Sequence, residues 1–221
     1  MWRSPPLAAA ALTALALAGA AAADALDPSL RLSGADQRRA RAALVTAADL
    51  GGGWSGGPRT PTGFKMPRCP AQSPSFHDLT VTGHAEADFS LQSLGWQVGN
   101  DVAVFASARD VSAVFKRILQ PKLGTCVRYD VFKEIGSDPN AKLGAAKRLA
   151  FPHLAPVSVL YRTSIFYTYG KKTYLLYDDT LMFGKGRTTI WLNIVAPSTD
   201  RAELASRERE LARLALSRVR A

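Results

Sequence analysis

The stretch VSVLYRTSIFYTYGKKTYLLYDDTLMFGKGRTTIWLNIV, residues 157–195, decides the fold. β-Branched and aromatic side chains dominate it, and these suit a pleated surface while losing χ1 freedom in a helix. Val157, Val159, Tyr161, Ile165 and Tyr167 alternate with Ser158, Arg162, Ser164 and Thr168, the period of two of a strand. Farther on, Ile190, Leu192 and Ile194 alternate with Thr189, Trp191 and Asn193. Glycine marks the breaks at Gly170-Lys171-Lys172 and Gly184-Lys185-Gly186, where hairpins need positive φ. The stretch therefore predicts three antiparallel strands. Asp178-Asp179 interrupts the middle one and predicts a bulge or an exposed section there.

Working outward, Pro197-Ser198 opens a last helix, with Asp200 and Glu203 at its positive end. Leu204, Leu211, Leu214, Ala215 and Val219 can cover the sheet, and Arg209, Arg213, Arg218 and Arg220 read as its solvated side. Upstream, 95–106 reads as a strand, and Ser107 with Asp110 caps a helix whose apolar face is Val111, Val114, Phe115 and Ile118. Pro121 ends that helix or kinks it into a second one carrying Leu123, Cys126, Val127, Val131 and Ile135. Residues 147–151 read as a short strand, and His153 as a structural residue in a turn. Residues 80–91 alternate as a strand, and Ser33 caps a helix over 34–45. The fold class is α+β: one antiparallel sheet of five or six strands with two or three helices packed on one face.

The chain has 221 residues, 47% hydrophobic and 21% charged, enough for one filled core. Its start reads as a signal peptide over 1–23: a short basic n-region with Arg3, an Ala/Leu run, and Ala21-Ala22-Ala23 before Asp24. An uncleaved anchor is the rival reading, although the run is alanine-rich and short for a bilayer. Residues 24–34 read as a flexible lead-in and 35–221 as a single domain, exported to the cell envelope or beyond, with no transmembrane segment after signal cleavage. In that compartment Cys69 and Cys126 are most simply a disulfide, with two separate buried thiols as the alternative. The formal charge of +10 outside a cell suggests solubility, or affinity for anionic cell-surface polymers and lipid headgroups, rather than nucleic acid.

Two motif matches fall in the glycine-rich stretch 51–57. Gly53-Trp54-Ser55-Gly56-Gly57 fits G-x-S-x-G, and Gly51 to Gly56 fits G-x-G-x-x-G. Both chemistries need a strand before the motif and a helix after it. Here a helix precedes and Pro58 and Pro61 follow, so neither is functional. His84, Glu86 and Asp88 share one side of a strand and are the best metal candidates, since imidazole and carboxylates converge there. A solvated strand face is the simpler explanation, since the chain has only three histidines and no second such cluster, and no metal or cofactor is expected.

The pattern as a whole resembles the secreted sensor-like domains of actinobacteria, typified by the extracellular PknH-type domain of mycobacterial serine/threonine kinases. The residues behind this are AALVTAADLGGGW (42–54), the Cys69 loop, VAVFASARDVSAVF (102–115) followed by Cys126, and the terminal Gly-Lys-Gly-Arg hairpin, strand and helix. The resemblance implies a sheet packed on helices with a cleft, binding a ligand rather than catalysing a reaction. It carries over no functional residue, and the second disulfide of the kinase domain has no counterpart among two cysteines. The expected function is a secreted, non-enzymatic ligand-binding domain for an unknown small molecule. Tyr161, Tyr167, Tyr177 and Trp191, each apolar with a polar tip, are the candidate lining residues. The alternative is a basic module using Lys171, Lys172, Lys185 and Arg187 on an anionic cell-envelope component. A secreted hydrolase is the third reading, with no catalytic set in the sequence to support it.

Overall fold

The computed structural model describes residues 26–59, 61, 63–66, 68–93, 95–135 and 138–219. The proposed signal peptide and its cleavage site lie outside these residues. The elements are β1 (Ser29–Leu30), α1 (Gly34–Ala43), α2 (Ala47–Leu50), β2 (Ser55–Arg59), β3 (Thr80–Leu91) and β4 (Trp96–Phe105). They continue with α3 (Ala108–Ile118), α4 (Leu123–Ile135), β5 (Ala141–Leu149), β6 (Val157–Tyr169), β7 (Lys172–Lys185), β8 (Thr188–Pro197) and α5 (Arg201–Arg218).

All the strands join one eight-stranded sheet in the order β1-β3-β4-β8-β7-β6-β5, with β2 alongside β3. The decisive stretch is the β6-β7-β8 meander, turning at Gly170-Lys171 and Gly186-Arg187. Both turn glycines have positive φ, 60° and 54°. The chain leaves β4 through α3 and α4, builds β5 to β7, and returns as β8 antiparallel to β4. On the outer edge of β3, β1 pairs parallel at Thr80–Val81 and β2 antiparallel at Glu86–Ser90. The α+β class holds, with more strands than the five or six expected. The additions are marginal sequences: a dipeptide within the stretch read as a lead-in, and Ser-Gly-Gly-Pro-Arg within the stretch read as a loop.

Helices cover both faces of the sheet, where one was expected. The period-two reading of β6 and β8 was correct in phase but assigned the second side of the sheet to solvent. Leu181, Phe183, Ile190, Leu192, Ile194, Val102 and Val104 face α1 and α5 in one core. Met182, Ala103 and Phe105 face α3 and α4 in a second core, with Trp191 packed against it. A central strand buried on both faces reads as a continuous apolar run, as Leu181-Met182-Phe183 does. Two glycines set the approach distances. A Cβ on Gly83 would lie 2.3 Å from the Asp36 carbonyl of α1, and one on Gly184 2.6 Å from the Phe115 ring of α3.

Asp178-Asp179 makes neither a bulge nor an exposed section. β7 pairs without a register shift through both residues, and they are 1% and 0% exposed. Adjacent strand residues point to opposite faces, so the two carboxyls enter different cores. Asp179 receives a bidentate bond from Arg162, at 2.7 and 2.5 Å, and Arg162 also reaches Glu208 of α5 at 3.0 Å. The guanidinium stacks over Tyr177, 4.5 Å from the ring centroid. Burial, then the hydrogen bond to Asp179 and its charge, push Glu208 up to about 9, so one proton sits in this trio at neutral pH. Arg218 is likewise not part of a solvated face: it donates to Asp49 at 2.7 and 2.8 Å and to the Leu44 carbonyl.

Candidate functional site

A cleft of about 680 Å³ opens on the α3/α4 face. Its floor is the sheet, with Glu86 and Asp88 from β3, Gly99 and Asp101 from β4, Thr180 from β7, and Trp191 and Asn193 from β8. One wall is α4, which turns Leu123, Val127 and Val131 inward and sets Asp130 and Glu134 toward the opening. The other wall is the Cys69 loop, through Met66, Arg68 and Gln72. The disulfide Cys69–Cys126, with Cα atoms 5.2 Å apart, ties the two walls together. Gln72 also ties the loop to the end of α3 by donating to the Arg117 carbonyl at 2.6 Å.

The lining mixes an apolar wall with side chains of both charges. Arg59 at the rim pairs with Glu86 Oε2 at 3.1 Å and with Asp88. Lys133 pairs with Asp130 at 3.0 Å. Burial pushes the Asp130 carboxyl up, and partial burial followed by the charges of Asp130 and Asp88 pushes Glu134 up. Behind Asn193 and Glu134 stands Asp178. Burial first, then the charges of Glu134 and Asp179, push it up to about 8, so it is neutral at pH 7. Its Oδ1 and Asn193 Oδ1 have no hydrogen-bond partner among the described residues. Buried oxygens without donors are uncommon, because each loses its hydration uncompensated.

The four aromatic candidates do not converge. Trp191 lines the cleft. Tyr161 is on the same face but packs against the second core, its ring placed 3.4 Å from where a Cβ on Gly124 would lie. Tyr167 is toward the hairpin end, where the Asp138 carboxylate beside it pushes its phenol upward. Tyr177 is on the opposite face under Arg162. The period-two pattern separated Tyr161 from Tyr177 only if the register of β6 on β7 was known, and the register pairs Ser164, not Tyr161, with Tyr177.

Of the metal candidates, the structure joins His84 and Glu86 with Asp101. Asp88 is drawn to Arg59 instead. Asp101 could not be associated with them from sequence, since its place opposite Glu86 is a property of the β3-β4 register. Of the basic candidates, Lys171 and Lys172 are exposed, while Lys185 donates to the Leu216 carbonyl and Arg187 to Asp36 and to the Phe105 carbonyl. Among the described residues no helix is long and apolar enough to cross a membrane. No family model, no curated protein and no solved structure matches this chain.

Proposed function

We propose that the protein is a secreted, non-enzymatic ligand-binding domain whose small-molecule ligand occupies the cleft between the sheet and α4. The observation that carries this reading is the cleft itself: about 680 Å³, within the range of small-molecule sites, with its walls fixed to one another by a disulfide. Fixed walls lower the ordering cost of binding. Carboxyls, arginine and lysine together with Trp191 and the apolar side of α4 suit a compact ligand with both apolar surface and donors and acceptors of its own. The resemblance to exported sensor-like domains is consistent with the reading. Native mass spectrometry of the mature, non-reduced protein from its secreting host tests it. The expected result is a bound mass lost on unfolding and lost in Asn193→Leu, which fills the floor. A bare wild-type chain, or a bound mass retained in that variant, overturns it.

The basic-module reading keeps one supporting observation. The β6-β7 hairpin end exposes Tyr169 and Tyr174, at 76% and 49%, beside Lys171 and Lys172. Binding to anionic cell-wall fractions that falls steeply with salt, and is lost in K171E/K172E, would place function there instead.

A further inference from the structure

At the sheet side of the cleft, Glu86 and Asp101 of the lining meet the buried His84 in an arrangement that ligand binding does not require. His84 and Glu86 are two apart on β3, so they share a face, and Asp101 is the direct cross-strand partner of Glu86 on β4. His84 Nε2 is 3.4 Å from Glu86 Oε1 and 3.2 Å from Asp101 Oδ2, and the three ligand atoms all lie within 4.8 Å of one another. Nitrogen and oxygen ligands about 2.0–2.2 Å from a tetrahedral ion stand about 3.3–3.6 Å from each other. Two of the three edges are thus close to that spacing, and the third closes by a side-chain rotation.

The surroundings point the same way. All three residues sit on hydrogen-bonded strands rather than loops, which fixes their spacing. His84 is 4% exposed and its ring is held by the edge of Phe64, with centroids 4.9 Å apart. Asp101, at 41%, remains open. Like charges directly opposed across a ladder destabilise it, and Glu86 faces Asp101 in that way. Arg59 compensates only Oε2 of Glu86 and leaves Oε1 directed to His84. A cation between Oε1, Oδ2 and Nε2 removes the remaining repulsion.

We propose that His84, Glu86 and Asp101 form a three-ligand site for a divalent cation of the zinc class, with a further coordination position open to the cleft. Mixed imidazole and carboxylate donors select such an ion over magnesium or calcium, which take oxygen ligands alone. The site goes beyond the ligand-binding reading and stands without it. The test uses the full mature chain, non-reduced, dialysed against chelator and titrated with Zn²⁺ by calorimetry and with Co²⁺ by visible absorption. One equivalent is expected to bind, with Co²⁺ bands of low coordination number. D101N and E86Q each weaken binding tenfold or more, and D88N leaves it within twofold. Asp101 is the decisive position because its exposure keeps the variant folded, whereas His84→Ala opens a buried site. No uptake by the wild type overturns the proposal, as does uptake unchanged in D101N and E86Q, which would leave the trio a hydrogen-bonded strand pairing only. Neither result bears on whether a small molecule copurifies.

Discussion

Replacing Asp178 by asparagine should flatten the dependence of stability on pH. In the folded chain its carboxyl is raised to about 8, from an ordinary value of 3.8. Between those values the folded state holds a proton that the unfolded state has released. Stability contributed by this group is therefore full below about pH 4, declines as pH rises, and is gone above about pH 8. The slope is about 1.4 kcal/mol per pH unit. Across the four-unit window the ceiling is about 6 kcal/mol, smaller where water reaches the group from the cleft. Glu208, raised by its own burial and by Asp179, adds a decline of the same sign, so wild-type stability falls with both. Asparagine has nearly the shape of the protonated acid. D178N and wild type should therefore be close at pH 4 and diverge toward pH 8, with the variant the more stable. Any cost of reorienting the Asn193 amide shifts the D178N curve without changing its slope. Urea unfolding of the oxidised proteins at half-unit steps from pH 4 to 8.5 reads this directly. Parallel curves for D178N and wild type would refute the assignment of Asp178 as a buried neutral acid.

Three other outcomes follow from the same structure. Arg162→Ala leaves Asp179 and Glu208 buried without their cation, at 0% and 4% side-chain exposure, and should cost about 3–5 kcal/mol in urea unfolding at pH 7; a loss under 1 kcal/mol would contradict the trio. Removing the disulfide in C69S/C126S, which closes a loop spanning 57 residues, should lower stability by about 4 kcal/mol at most. It should also expose the Cys69 loop to proteolysis ahead of the sheet, and equal cleavage rates in both forms would count against the loop as a tethered wall. Gly83→Ala pushes a Cβ against the α1 backbone and should cost about 1–3 kcal/mol in a thermal melt, while Gly57→Ala, with no atom within 4 Å of its new Cβ, changes little.

Much of the architecture was legible because it rests on local signals. The meander shows in its alternation and glycines, and α3 in its Ser107 cap, which accepts from Asp110 N at 3.2 Å as the sequence suggests. Cys69 and Cys126 were legible as a pair because the chain holds only two cysteines. What was not legible depends on register. Alternation tells which residues of one strand share a side, but not which side of the next strand they meet. That is why Asp88 was grouped with His84 and Asp101 was not, and why four aromatics spread from Tyr161 to Trp191 over three strands were assigned to one cleft. Helices on both faces were missed for a related reason. The polar side of β6, with Arg162 and Ser164, reads as solvated unless Asp179 and Glu208 are known to meet it.

The Asp-Asp dipeptide of β7 brings these points together. In sequence, two acids in an apolar strand read as a place where the strand fails. In the fold they are as buried as the apolar run that follows them, and their fates differ because adjacent residues face opposite cores. Asp179 meets an arginine and a glutamate supplied by β6 and α5, and its charge is matched within the protein. Asp178 meets the cleft side, where no arginine or lysine neutralises it and it is held neutral. One carboxyl is thus spent on joining α5 to the sheet, while the other leaves an unpartnered oxygen behind the floor of the cleft. A sheet that needed only stability would gain by an apolar residue at 178, as it has at Leu176, Leu181 and Met182. The D178N titration therefore reads the cost of that buried acid directly, as a change in the slope of stability against pH.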